Sequence, residues 1–342
     1  MTQPPPKLCI IGFGIAGHLL YLELLRSNIP AKDIVIIDEN FMGGALMTHY
    51  ATVLSNTPWL KTKTALNEYL PWSAESIQWG DSKYQEIECM PVRDIAAVCF
   101  ETAFKAAGQS EKITAKVTGI QFEEATQVWK IQHTFGELKS SQLYLCHGAT
   151  EKQLPLDKPA IPLRIALDFQ QLKNTVSAEK DHVTVFGMAH SGTILLKHLQ
   201  ELGIPTTAIY NTPTPFQFAR DGHYDGIKEG SEKIADCILR GEYGHITLVS
   251  WNDPLVLYKA LQKTTRVIYS IGFSVTSLGE FQKLPYDSHT AKIKIGPNCY
   301  GYGIGFPGVT VLEGKQFTDV SVLSFQDQIR RTLPQSLESA RR

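Results

Sequence analysis

"LCIIGFGIAGHLLYLELLRS", residues 8–27, decides how the rest of the chain is read. Four apolar residues are followed by three glycines spaced GxGxxG and then by a twelve-residue run of helical character. This is the pattern of a buried strand, a tight turn and a helix. Gly12 permits the turn, Gly14 lets backbone approach a pyrophosphate, and Gly17 lets the helix lie against the strand. The helix start then offers free N–H groups to phosphate. "DIVIID" follows as a second strand ending at Asp38, an acidic side chain suited to accepting both hydroxyl protons of a ribose. "FMGGALM" (41–47) adds Gly43 and Gly44 just beyond, glycines that are useful where backbone runs beside a flavin.

A second unit of the same kind begins near residue 182. "HVTVFGMAHSG" is a strand and turn containing Gly187, Ala189, His190, Ser191 and Gly192, with a helix expected over 191–202. "PTTAIYN" is the next strand, ending at the neutral Asn211, and "HITLVS" and "TRVIYSIGF" are further strands. Between the two units lie a helix over 90–108 and strands at "ITAKVTGIQFEE", "TQVWKIQHTF" and "SSQLYLCHGAT", the first two suited to a small meander. The proline-rich "LPLDKPAIPLR" (154–164) marks a domain boundary. The expected fold class is therefore α/β, with one nucleotide-binding architecture used twice.

Bulk properties narrow the function. The chain has 342 residues, enough for two domains, and a net charge of −1, with no basic surplus for nucleic acid or an anionic membrane. Its six cysteines are scattered and none forms CxxC, so neither a zinc site nor a redox dithiol is indicated. Cys9, Cys99 and Cys146 lie in apolar runs as buried thiols, in keeping with a reducing compartment. The N-terminal apolar run is too short for a signal or a membrane span. A cytoplasmic protein acting on a small molecule is the expectation; a homodimer is left open.

Taken together, these motifs resemble the two-dinucleotide-binding-domain flavoproteins, which include thioredoxin-reductase-like enzymes and flavin-containing monooxygenases. The resemblance covers nearly the whole chain. "GFGIAG" with Asp38 looks like the FAD turn, and "LYLCHGAT" like the strand end that returns to the flavin. "GMAHSG" looks like the NAD(P) turn, and "GYGIGFPG" (301–308) like the last loop beneath the isoalloxazine. The resemblance implies two Rossmann-like three-layer domains: an FAD domain, 1–155 and 278–342, with an inserted NAD(P) domain, 156–277. It implies FAD contacts at Gly12, Gly14, Ala16, Gly17, Asp38, Glu39, Gly43, Gly44, Val117, Gly148 and Gly305. NADP or NAD would lie at Gly187, Ala189, His190, Ser191 and Gly192. An FAD-dependent oxidoreductase taking hydride from NAD(P)H follows.

Departures bear on the reaction. Ala189 stands where a glycine is usual, and Gly305–Phe306 stand where many reductases carry an aspartate. "GGALMTHYATVLSNTPW" resembles the monooxygenase segment in which an asparagine lies near the flavin, which makes Asn56 the candidate catalytic residue. The plainer reading is a turn asparagine before Thr57–Pro58. The monooxygenase phenylalanine–glycine–histidine run is missing: "RIALDF" keeps Asp168–Phe169 and has Ile165 in place of the histidine. His49 and His147 read as packing or hydrogen-bonding residues. "QFARDGHYDGIKEGSEK" (217–233) reads as a solvated loop or as a lid with Arg220, His223 and Tyr224. A reductase of a small molecule or a partner protein, and a nucleotide-binding protein without turnover, stand as alternatives.

Overall fold

The apolar run at the start becomes β1 (Leu8–Ile11), with all four residues buried. A strand covered on both faces must be apolar throughout, which is why this run shows no alternation. It lies at the middle of a five-stranded parallel sheet with β2 (Ile34–Asp38), β3 (Glu111–Thr114), β4 (Gln142–Leu145) and the late strand β11 (Cys299–Gly301). The order is β11-β4-β1-β2-β3. A second parallel sheet contains β6 (Val183–Phe186), β7 (Thr206–Tyr210), β8 (Ile246–Ser250) and β9 (Arg266–Tyr269), in the order β8-β7-β6-β9. The chain enters and leaves the second sheet through an antiparallel ribbon of β5 (Ala149–Glu151) and β10 (Phe273–Val275). In this computed structural model the described residues are 8–58, 62, 66, 89–216, 229–279, 281, 284–312 and 315–341.

Helix α1 (Ile15–Arg26) follows β1 and packs between α2 (Val92–Ala106) and the C-terminal helix α5 (Val322–Arg341). Helix α3 (His190–Glu201) plays the same part after β6 and packs on α4 (Glu229–Leu239). Buried polar contacts hold α5 in place. Tyr144 pairs with Ser336 at 2.9 Å, Tyr302 with Thr332 at 3.0 Å, and Arg330 Nε donates to the buried Glu23 at 2.9 Å. Gln328 Nε2 donates to the Phe306 carbonyl, so α5 also fixes the loop after β11.

Several expectations are corrected. Residues 113–124 do not form one strand. Glu111–Thr114 joins the parallel sheet beside β2, and Val117–Glu123 turns away into an antiparallel meander. That meander has three strands, the third being Gly136–Ser140. The break falls at Ala115–Lys116, where the chain leaves the sheet for the meander. The glycine-rich 296–308 contains a buried strand, β11, which pairs in parallel with β4 through Cys299, Tyr300 and Gly301. The helix expected from Ser191 begins at His190. Asp168, kept from the monooxygenase run, caps a short helix by accepting from the Gln170 and Gln171 amides.

His18 is fully buried on α1, edge-on to Phe13 and close to Phe100, with the Phe13 backbone as its polar neighbour. Burial lowers its pKa from 6.5 to about 3, so the folded protein holds it neutral. The unfolded chain binds the proton first as pH falls. The stability that His18 contributes is therefore complete above pH 6.5 and is lost as the pH drops towards about 3. Each pH unit in that window costs about 1.4 kcal/mol. His18→Phe should flatten the acid side of the stability profile by about one proton, read from urea midpoints between pH 4 and 7.

Candidate functional site

Within the first sheet the chain passes from β1 outward to β2 and β3, then returns to place β4 on the other side of β1. Such a reversal opens a crevice beyond the carboxyl ends of the two central strands. Gly12 follows β1 there and Cys146–His147 follow β4. The two ends are sewn together: Cys146 N donates to the Ile11 carbonyl at 2.7 Å, and Gly12 N to that of Ile37 at 2.8 Å. Gly12 has φ +92°, and a side chain on it would stand 2.5 Å from the Cys146 carbonyl oxygen. Only glycine fits on both counts.

The second sheet repeats this arrangement. Gly187 N donates to Ile209 O at 3.0 Å, and Ser270 N to Phe186 O at 2.8 Å. Gly187 has φ +88°, and a side chain there would overlap the Ser270 carbonyl. Gly17 and Gly192 each press on the carbonyl of their turn's first glycine, Gly12 and Gly187. The middle positions also agree: Gly14 has φ −85°, ψ −166°, and Ala189 has φ −75°, ψ −166°. An L side chain suits that conformation, so Ala189 departs from the glycine pattern without strain and differs only by its methyl. Neither helix start has a side-chain cap, which leaves its first N–H groups available.

Both turns open on one cavity of about 470 Å³. Its walls include Gly12, Gly14, Ala16, Asp38, Gly44 and Gly148 from the first turn and its neighbours, and His190 and Ser191 from the second. Gly43 and Gly44 have φ +77° and +76°, and a side chain on Gly44 would stand 2.6 Å from the Gly14 Cα. Gly14 and Gly44 thus form a backbone-only surface at the start of α1. Asp38 is the one charged side chain among the described lining residues. An anion held here would rely on main-chain N–H groups rather than on lysine or arginine.

Asp38 differs from expectation in one respect. Its carboxylate already accepts from the amides of Phe13 at 2.6 Å, Asn40 at 3.0 Å and Phe41 at 2.8 Å. A carboxylate has about four acceptor positions, so about one remains for a ribose hydroxyl. Glu39 is exposed, Val117 packs in the core around Trp129, and neither lines the cavity. Gly17, Gly187, Ala189 and Gly192 sit behind its wall as turn and helix contacts. Gly305 backs on Gly148, with a side chain there 2.6 Å from the Gly148 carbonyl. Asn56 falls in the strand Leu54–Pro58, beside the cavity residue Ser55; the placement of its side chain lies outside the described residues. Arg220, His223 and Tyr224 lie outside them as well.

One wall of the cavity carries no motif in the sequence. Tyr50 donates to Glu151 at 3.2 Å, and Glu151 accepts the Leu163 amide at 2.9 Å. Tyr50 also meets Phe273 edge-on. Burial, helped by the Glu151 charge, pushes the Tyr50 phenol up, so it stays protonated. No short-range signal marks residues brought together from positions 50, 151, 163 and 273. Among the described residues Cys146 is the cysteine that lines the cavity, and burial raises its thiol well beyond neutral pH, which keeps it out of thiolate chemistry. Among the described residues there is no disulfide and no group of side chains arranged to hold a metal ion. No helix of the described residues is long and apolar enough to cross a membrane.

No family model matches the chain, and no curated protein matches it. Solved structures do. The bacillithiol disulfide reductase of Staphylococcus aureus superposes with a TM-score of 0.61 at 13% identity, over 98% of this chain and 99% of that one. L-lysine 6-monooxygenase of Pseudomonas syringae gives 0.61 at 11%, over 98% and 99%. An HOCl-induced flavoprotein disulfide reductase of Escherichia coli gives 0.53 at 13%, over 99% of this chain and 73% of that one. The fold is that of the two-dinucleotide-binding-domain flavoproteins. Two Rossmann-like units share it, one entered and left through the β5–β10 ribbon. At such identities the likeness reports architecture. One reductase and one monooxygenase match equally well, so the fold does not choose a reaction.

Gly12→Ala should test the tightest point of the site. A methyl there meets main chain that cannot move aside and forces positive φ on alanine. The variant should lose about 2–4 kcal/mol in urea unfolding, against about 1 for Gly203→Ala, where φ is +67° but the space is open.

Proposed function

We propose that the chain is an FAD-dependent oxidoreductase that takes hydride from NAD(P)H and passes reducing equivalents to a small molecule. The observation that carries this reading is the pair of matching glycine turns, each at the reversal point of its own sheet, with the starts of both following helices on one cavity. A single nucleotide site needs one such turn. Two facing the same space suit one resident dinucleotide and one that exchanges with solvent. The domain division we propose is 1–155 with 278–342 for FAD, and 156–277 for NAD(P).

The residues present fit FAD. The Gly14–Gly44 surface is the cradle in which a pyrophosphate would meet only backbone, and the α1 N–H groups would complement its charge. Asp38 would use its remaining acceptor position on the adenosine ribose, while its bond to Phe13 N ties the ribose end to the glycine turn. Gly148 and Gly305, pressed together, would leave main chain alone beside the far half of the ligand. Bound FAD would supply two-electron chemistry that no side chain here provides. The chain's own part is to bind, orient and exclude water. The apolar walls from Val53, Leu163, Leu167, Phe273 and Ile304 serve the last of these.

His190 would stand at the phosphates of the exchanging nucleotide. Its Nδ1 is within 2.6 Å of the buried Ser231 Oγ, which fixes the ring against α4. The exposed and neutral Asn211 at the end of β7 would neither favour nor repel a 2′-phosphate, so both NADPH and NADH belong in the test. With Cys146 held as a thiol, reduction through a dithiol relay has no support among the described residues. Asn56 carries the monooxygenase subtype as a second reading, in which Asn56→Ala should raise the share of consumed oxygen released as peroxide.

Two measurements test the reading. The purified protein should be yellow and should bleach with NADPH or NADH under anaerobic conditions. Colourless protein that takes up no FAD would refute it, and yellow protein bleached by neither nucleotide would leave a binding protein without turnover. Gly14→Leu should fold normally, because a Cβ at this position makes only an ordinary 3.6 Å contact with Gly44. Its longer side chain should enter the cradle and lower FAD content about tenfold or more.

A further inference from the structure

His147 follows β4 and lines the cavity, where Gly148, Thr276 and Gly305 of the chain after β4, β10 and β11 come together. Its Nε2 lies 2.9 Å from the Thr276 carbonyl. A carbonyl only accepts, so Nε2 carries the proton. In the neutral ring Nδ1 is then a bare acceptor. Burial lowers the pKa, which keeps the ring in that neutral form. The ring is braced by Phe306, edge-on at 5.7 Å, and Phe306 is in turn held through its carbonyl by Tyr286 and Gln328. Nδ1 is itself buried and has no hydrogen-bond partner. The structure thus holds, on a cavity-lining residue, a rigid acceptor for which the protein provides no donor.

The position of His147 in the sheet says which part of a bound dinucleotide it would serve. Asp38 ends β2 on one side of β1, and His147 follows β4 on the other. With the adenosine ribose at Asp38 and the pyrophosphate across Gly14, the ligand's other half would run towards His147. In FAD that half is the isoalloxazine. The oxidised ring has one N–H, the imide at N3, and a buried donor left without an acceptor is costly. We propose that His147 Nδ1 is the acceptor for the N3–H of bound FAD, a cofactor-positioning contact that selects a flavin over rings without that donor. This rests on the FAD assignment above.

The test is binding, not turnover. Apoprotein is titrated with FAD and with N3-methyl-FAD, followed by the quenching of flavin fluorescence. Wild type should bind FAD about tenfold more tightly than the methylated analogue, the scale of one buried hydrogen bond. His147→Leu should bind the two alike, having lost affinity for FAD only. His147→Asn places an amide oxygen near the Nδ1 position and should restore part of the preference. Equal binding of both flavins by wild type, or a preference that survives in a folded His147→Leu, overturns the proposal while leaving the FAD assignment standing. Failure of wild type to bind either flavin overturns both. Should His147→Leu not fold, the wild-type comparison together with His147→Asn still decides.

Discussion

The contact on which the architecture turns is a carbonyl oxygen pressed into the place of a missing side chain. At the end of β1 it is the Cys146 carbonyl against Gly12, and at the end of β6 the Ser270 carbonyl against Gly187. Each contact joins the central strand to its neighbour across the point where strand order reverses. With Gly17 and Gly192 pressing on the same turns from the helix side, strand, turn and helix lock into one geometry twice. The first turn leaves no side-chain atom at its glycines to obstruct a ligand, and the second adds only the Ala189 methyl. The helix N-termini then face open space rather than protein, which is what makes a site of them.

Much of the remaining structure serves to hold the cavity walls. Helix α5 is distant in sequence from every first-turn residue. It anchors Tyr144, Tyr302 and Phe306 through Ser336, Thr332 and Gln328, and so sets the loops that follow β4 and β11. On the opposite wall Glu151 gathers the Tyr50 hydroxyl and the Leu163 amide, with Tyr50 and Val53 packed against the core of the second sheet. The cavity is therefore a property of both units. Among the described residues its chemistry is mostly main-chain N–H groups and apolar walls, with one carboxylate and three histidines, His49, His147 and His190. Such a lining suits a ligand that brings its own reactivity.

The two turns, their helices and the central strands were legible because their signals are local. A buried parallel strand is continuously apolar, a GxGxxG turn excludes side chains, and the helix after it has a 3.6-residue period. Legibility failed where partnership was at issue. "ITAKVTGIQFEE" alternates well enough for one strand, yet its halves belong to different sheets, because β2 offers a free edge to the first and the meander claims the second. Likewise "GPNCYGYGIGFPG" reads as a glycine-rich loop, and only the edge of β4 makes part of it a strand.

By itself the sequence determined where side chains had to be absent, which runs had to be buried on both faces, and hence that a dinucleotide-type unit occurs twice. These are matters of steric exclusion and periodicity within a few residues. Tertiary structure alone decided how the polar groups are spent. Asp38 is legible as an acidic strand end, but three amides folded back on it take most of its acceptor capacity. His18 and His147 look alike in sequence, each directly after an apolar stretch or a motif residue. One is sealed among Phe13 and Phe100, and the other is aligned by a carbonyl 129 residues away. Hydrogen bonding and desolvation depend on neighbours that the chain brings from afar, so neither is written in any local pattern.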